Sequence, residues 1–192
     1  MDLTQALSLI PLIHEAGLRE LNLKLFDNYN FRTVSMYWEV KRAIWDDLTL
    51  SLKRTGADAH SLRHNLGDVE FKSSGGSPAS FMWDKQNDAV RREQTLGSDA
   101  FVFGKFVNER MTVILVAKAP ETLAHIRTLM EHKQVSALRR WNENVAAGRR
   151  GGHDAITLTF RELLTGDVRW SLWSNGTWHH EATSRECNSF MT

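Results

Sequence analysis

The segment Gly67-Asp68-Val69-Glu70-Phe71-Lys72-Ser73 carries two acids and a lysine at alternate positions. A spacing of two is the period of a β-strand, whose side chains point to opposite faces in turn. Asp68, Glu70 and Lys72 are therefore expected on one face, and Val69 and Phe71 on the other, where they can enter a core. Glu70 and Lys72 then stand about 7 Å apart along the strand. An acid and an ammonium held side by side on a rigid element suit phosphodiester hydrolysis. Carboxylate oxygens are hard ligands that Mg²⁺ accepts while it keeps waters and a phosphate oxygen. The metal stabilises charge building on phosphorus and lowers the pKa of its bound water. The lysine positions the attacking water, or deprotonates it when in its neutral amine form, and as an ammonium it offsets negative charge in the transition state. One carboxylate holds Mg²⁺ poorly, so a second acid must converge on the site. Asp58, in the upstream loop Gly56-Ala57-Asp58-Ala59, is one candidate and Asp68 is the other. Glu-x-Lys on a strand is by itself a common solvated face, and what surrounds it in the chain gives it weight.

The elements that must hold this segment follow from hydrophobic periodicity. Residues 3–26 have Leu3, Leu7, Ile10, Leu18, Leu21 and Leu25 at helical spacing, with a kink or restart expected at Pro11. Residues 32–53 read as a second amphipathic helix through Val34, Trp38, Ala43, Trp45, Leu48 and Leu52, closed by Gly56. Residues 67–74 read as a strand ending in the turn Gly75-Gly76-Ser77-Pro78. A helix is expected over 86–96, then two nearly continuous apolar runs, 99–107 and 111–117, of the kind that form central strands buried on both faces. Residues 120–146 read as a long helix with Pro120 in its first turn, and a last β section covers 155–178. The expectation is an α/β fold, a mixed central sheet flanked by helices, in one domain over 1–192.

Bulk properties narrow the class. At 192 residues, 42% hydrophobic and 24% charged, the chain has the composition of a globular domain with a real core. It has no apolar run of membrane-spanning length. No basic leader precedes the N-terminal apolar patch, so neither a signal peptide nor a membrane role is expected, and the expected location is the cytoplasm. The single cysteine, Cys187, excludes an intrachain disulfide framework and a Cys-rich zinc site. Net charge is only +1, but between residues 133 and 150 stand Lys133, Arg139, Arg140, Arg149 and Arg150 against the single acid Glu143. Such a basic face suits a polyanion, or is a solvated helix surface.

The motif pair Gly56-Ala57-Asp58-Ala59 and Glu70-Phe71-Lys72-Ser73, in this order of elements, resembles the PD-(D/E)XK nucleases, and among them the PvuII-like branch of type II restriction endonucleases. There a Gly-x-Asp-Ala turn is followed shortly by a Glu-x-Lys-Ser strand. The likeness spans residues 5–107: two N-terminal helices, the catalytic hairpin, a polar loop, a helix and a buried strand. It implies a restriction-endonuclease-like sheet, with residues 1–55 helical and dimerising, 56–118 the catalytic core, and 119–192 the DNA-contacting helices and C-terminal β section. It further implies Asp58 and Glu70 as metal-binding acids, Lys72 beside the attacking water, and the Phe71 backbone carbonyl as an additional ligand. Asp68 departs from the pattern and stands where it could replace Asp58. The cofactor implied is Mg²⁺, with no small organic cofactor. The partner is double-stranded DNA, cut sequence-specifically by a homodimer, since a palindromic site is read by a twofold pair.

In the same plan the stretch after the catalytic strand reads bases. Ser80, Trp83, Lys85, Gln86 and Asn87 are the candidates there, because Lys suits guanine and Gln or Asn suits adenine. The plainer reading is a surface loop anchored by Phe81 and Trp83. Arg139, Arg140, Arg149 and Arg150 are candidate phosphate contacts. His60 and His64 have helical metal-ligand spacing, but the flanking Gly56 and Gly67 argue against a helix. Trp170, Trp173 and Trp178 are of the type that usually fills cores. Two rival readings stand beside the restriction enzyme. One is a structure-selective or repair nuclease on the same core; the other is a DNA-binding module on a degenerate nuclease fold.

Overall fold

A strand covered on both faces must be apolar along its length. The two runs of that kind form the middle of the molecule: β5 (Ala100–Val107) and β6 (Arg110–Ala117), antiparallel neighbours with Phe103 opposite Leu115. The computed structural model describes residues 49–50, 59–61, 67–75, 78–84, 86–107, 110–149, 155–174 and 176–190. The other strands are β1 (Thr49–Leu50), β2 (Ala59–Ser61), β3 (Gly67–Ser74), β4 (Ser80–Trp83), β7 (Ile156–Thr159), β8 (Arg169–Ser174) and β9 (Thr177–Thr183). Seven strands form one sheet in the order β1-β2-β3-β5-β6-β8-β9, and β4 pairs with β7 in a two-stranded ribbon. Only β3 and β5 run parallel in the large sheet, so it is mixed, as expected. Parallel neighbours need a crossover connection. Here it runs through β4 and helix α1 (Ala89–Leu96).

One face of the sheet carries the larger core. Phe101, Phe103, Val113, Leu115 and Leu172 meet Leu123, Ile126, Met130 and Ala137 of helix α2 (Pro120–Ala146), together with Phe81, Trp83, Ile156 and Leu158 of the ribbon. The buried positions of α2 fall at helical steps of three and four, which is why it lies flat on the sheet. The opposite face holds a smaller cluster: Val69, Phe71, Ala100, Val102, Ile114 and Val116, with Trp173 packed against it.

Most elements match the sequence pattern. β3, β5, β6 and α2 stand where periodicity puts them, and Pro120 is in the first turn of α2. Four expectations are corrected. Thr49–Leu50 is a strand paired with Ala59–His60, so the helix expected over 32–53 does not reach its end; Leu48, Leu50 and Leu52 alternate with strand period. The helix expected from residue 86 starts at Ala89, because the Asp88 side chain caps it by accepting from the Val90 and Arg91 backbone N–H groups. Residues 80–83 form a strand rather than a loop: Phe81 and Trp83 point inward while Ser80 and Met82 stay exposed. The last β section runs past 178, with helix α3 (Phe160–Leu163) inside it and helix α4 (Ser184–Ser189) after it, each opened by a threonine capping box. The two N-terminal helices, and the dimerisation region placed in them, lie outside the described residues.

Strand β9 closes one edge of the sheet. Its pairing with β8 slips by one residue, leaving His180 and Glu181 together opposite Ser171. Glu181 takes a left-handed backbone (φ 56°), the one non-glycine among the described residues to do so. That conformation costs roughly 1–2 kcal/mol for a residue with a Cβ. No described helix is long and apolar enough to cross a membrane.

Candidate active site on strand β3

Alternation along β3 sorts its side chains as the pattern requires. Val69 and Phe71 enter the smaller core, while Glu70 and Lys72, in register with Phe101 and Phe103, take the α2 side of the sheet. Lys72 Nζ lies 2.6 Å from Glu70 Oε1, with the lysine side chain 22% exposed and the glutamate 9%. A carboxylate this deep needs a partner, and the ammonium supplies it. The same ammonium lies over the indole of Trp83, 5.6 Å from the ring centroid. Trp83 itself stands edge-on to Phe103 at 6.2 Å, so ribbon and sheet close around the lysine together.

The start of β3 is held by an acid that the sequence reading did not single out. Asp99 donates its backbone N–H to the Asp68 carbonyl at 2.8 Å, and its carboxylate accepts from the Asp68 backbone N–H at 2.9 Å. Gly67 precedes this clasp with a left-handed backbone (φ 63°), and any Cβ there would overlap the Asp99 carboxylate. Arg127 of α2 adds a second tie by donating to the carbonyls of Leu96 and Ser98 at 2.7 and 3.1 Å. Together these fix the entry into β5 against strand β3. An aspartate just ahead of an apolar run was the visible signal for Asp99; nothing local marked Arg127.

The other candidate metal ligands divide. Asp68 lies at the exposed start of β3, two residues before Glu70, and Phe71 is central in the strand. Asp58 lies outside the described residues; its chain neighbour Ala59 is the cross-strand partner of Val69, which precedes Glu70. His60 sits in strand β2 opposite Asp68, so the helical metal-ligand spacing with His64 does not arise at His60; His64 lies outside the described residues. Among the described residues no cluster of three or more His, Cys, Asp or Glu is gathered for a metal. The carboxylate of Glu70 offers hard oxygen atoms, the type Mg²⁺ accepts, and its ion-pair partner is the Lys72 ammonium.

Two expected DNA contacts are corrected. Trp83 is 3% exposed and packed among Phe103, Lys72 and the core, so it does not present its ring to a base. Gln86 is 1% exposed: its side-chain amide donates to the Asp84 carbonyl and its oxygen accepts from Gln134 Nε2 at 2.8 Å. Its hydrogen-bonding groups are spent inside the protein. Ser80 and Asn87 are exposed, and Lys85 lies outside the described residues.

The basic residues fall on the last turns of α2 and just past it. Arg139, Arg140 and Arg149 are exposed, with Arg139 3.8 Å from Glu143 one turn on, while Arg150 lies outside the described residues. Lys133 is committed elsewhere, 2.5 Å from Glu162. Burial alone would push the Glu162 carboxyl up, but hydrogen bonds from Lys133 and Thr159 hold it below its ordinary 4.5. Near the chain end Trp170 is buried, donating to Ser184 Oγ, whereas Trp178 is exposed and stacked on His180. Burial pushes the Cys187 thiol up to about 12, so at neutral pH it stays a protonated, buried thiol. No protein-family model matches the chain, and no curated protein matches it either.

Proposed function

We propose that this chain is a Mg²⁺-dependent endonuclease that hydrolyses phosphodiester bonds in double-stranded DNA, acting as a type II restriction enzyme and as a homodimer. The observation that carries this reading is the Glu70–Lys72 pair, side by side on one face of a buried strand at 2.6 Å. Support comes from the frame around it. A short antiparallel run, β1-β2-β3, is followed by strand β4, a helix and the apolar strand β5, which includes the hairpin, helix and buried strand of the resemblance.

In this reading Mg²⁺ is held by Glu70, the Phe71 carbonyl and one further acid, Asp58 or Asp68. The ion would supply charge stabilisation at phosphorus and a bound water of lowered pKa. Lys72 holds its positive charge beside the attacked phosphate and orients the incoming water. Asp99 and Arg127 keep β3 and β5 in register so that the pair stays in place. Arg140 and Arg149 grip the DNA backbone without reading sequence.

The test is digestion of a large linear phage DNA with Mg²⁺, with and without EDTA. Discrete, reproducible fragments that vanish with EDTA are expected. Cleavage confined to branched or mismatched substrates would instead favour a structure-selective or repair nuclease. Binding of DNA without any cleavage would favour a degenerate binding module.

A further inference from the structure

We infer that Trp83 is a positioning residue for Lys72, holding its ammonium in place with the indole face. The inference rests on the nuclease reading for the importance of Lys72, but on geometry for the contact. Two observations meet at this side chain. The first is the ring itself: Lys72 Nζ lies over the Trp83 indole, 5.6 Å from its centroid, while it pairs with the Glu70 carboxylate at 2.6 Å. The lysine is a long, flexible chain on a strand, and these two neighbours restrict where its head group can sit.

The second observation is a cost. Trp83 Nε1 is buried and has no hydrogen-bond partner among the described residues. A buried donor left unpaired is unfavourable, and phenylalanine would fill an apolar core site without that penalty. Phenylalanine is what stands on either side of this position in the same core, at Phe81 and Phe103. Indole, however, gives the strongest attraction of any side-chain ring for a cation over its face. A tryptophan that is costly as a buried, unpaired donor is the best choice for holding an ammonium. The ribbon β4–β7 supplies the rigidity: Trp83 is paired with Ile156, so the ring is anchored from the far side of the core.

The experiment reads the contact and the chemistry separately. In the full chain labelled at lysine, the side-chain methylene signals of Lys72, assigned by their loss in K72A, should lie upfield from ring current. They should return to ordinary positions in W83L and stay partly shifted in W83F. In DNA cleavage with Mg²⁺, W83L should lose roughly tenfold in kcat with KM unchanged. W83F, which keeps a ring and sheds the unpaired N–H, should retain most of the rate. If W83L does not fold, W83F is read by the same two measurements. Unshifted Lys72 methylenes in the wild-type chain, or a W83L enzyme with full kcat, would overturn the inference. A wild-type chain that cleaves no DNA would sink the nuclease reading instead, and the methylene shift would still decide whether Trp83 holds Lys72.

Discussion

Gln134, on the buried face of α2, donates its side-chain amide to the side-chain oxygen of Gln86 at 2.8 Å, joining the long helix to the loop that follows β4. The same loop is tied a second time, because Arg92 donates to the Gln86 backbone carbonyl at 2.7 Å. Q134L should leave the Gln86 oxygen buried and unpaired and cost roughly 1–3 kcal/mol of stability. Replacing both residues by leucine should cost less than the two single changes added together, since neither amide is left without the other. Denaturant unfolding of the four proteins measures this; strict additivity would mean the two amides do not interact.

Glu70 and Lys72 should be needed for cleavage but not for folding. E70A and K72A should each lower the cleavage rate by about 10³ or more, the scale seen when a key transition-state contact is lost. Of the partner acids, D58N should abolish Mg²⁺-dependent cleavage and D68N should only weaken it. Single-turnover rates with circular dichroism as a fold control decide the ranking. The reverse order would place the metal on β3 alone.

The basic end of α2 should act through salt-dependent contacts. R140A and R149A should weaken binding to all DNA sequences alike, each flattening the slope of log affinity against log salt by about one unit. K133A should change the slope less, because its ammonium is already committed to Glu162. Binding isotherms at several salt concentrations test this; unchanged slopes in R140A and R149A would make the face a solvated one.

Glu162 ties acid stability to a named pair. Its carboxyl is held below 4.5 in the folded chain, so its contribution is present above that pH and is lost as pH falls through the lower, folded value. E162Q should therefore flatten part of the acid-side decline of the thermal midpoint. A decline of equal steepness in E162Q would assign the acid sensitivity to other groups.

How legible these features are depends on whether their cause is local. The strands β5 and β6 and the helix α2 announce themselves through long, unmixed periodic patterns, and the shared face of Glu70 and Lys72 follows from alternation alone. The strand at Thr49–Leu50 is too short to outweigh the helical pattern preceding it. Gln86 sits in a polar run that reads as surface, and only its partner 48 residues away reveals it as interior. Trp83 is the same case at the site: what brings its ring to Lys72 is the pairing of β4 with β7, and nothing near residue 83 encodes that pairing.

The left-handed kink at Glu181 bears on how copies of this chain can meet. An open sheet edge is normally a template on which another chain can add a strand by backbone pairing. Along β9 that template is interrupted: His180 and Glu181 bulge out of step with their neighbours, and the exposed Glu181 carries a charge paired to Arg169 at 3.3 Å. An approaching strand would find its hydrogen-bonding rhythm broken midway. Strand addition by a second copy of this chain is therefore disfavoured along the β9 margin of the sheet.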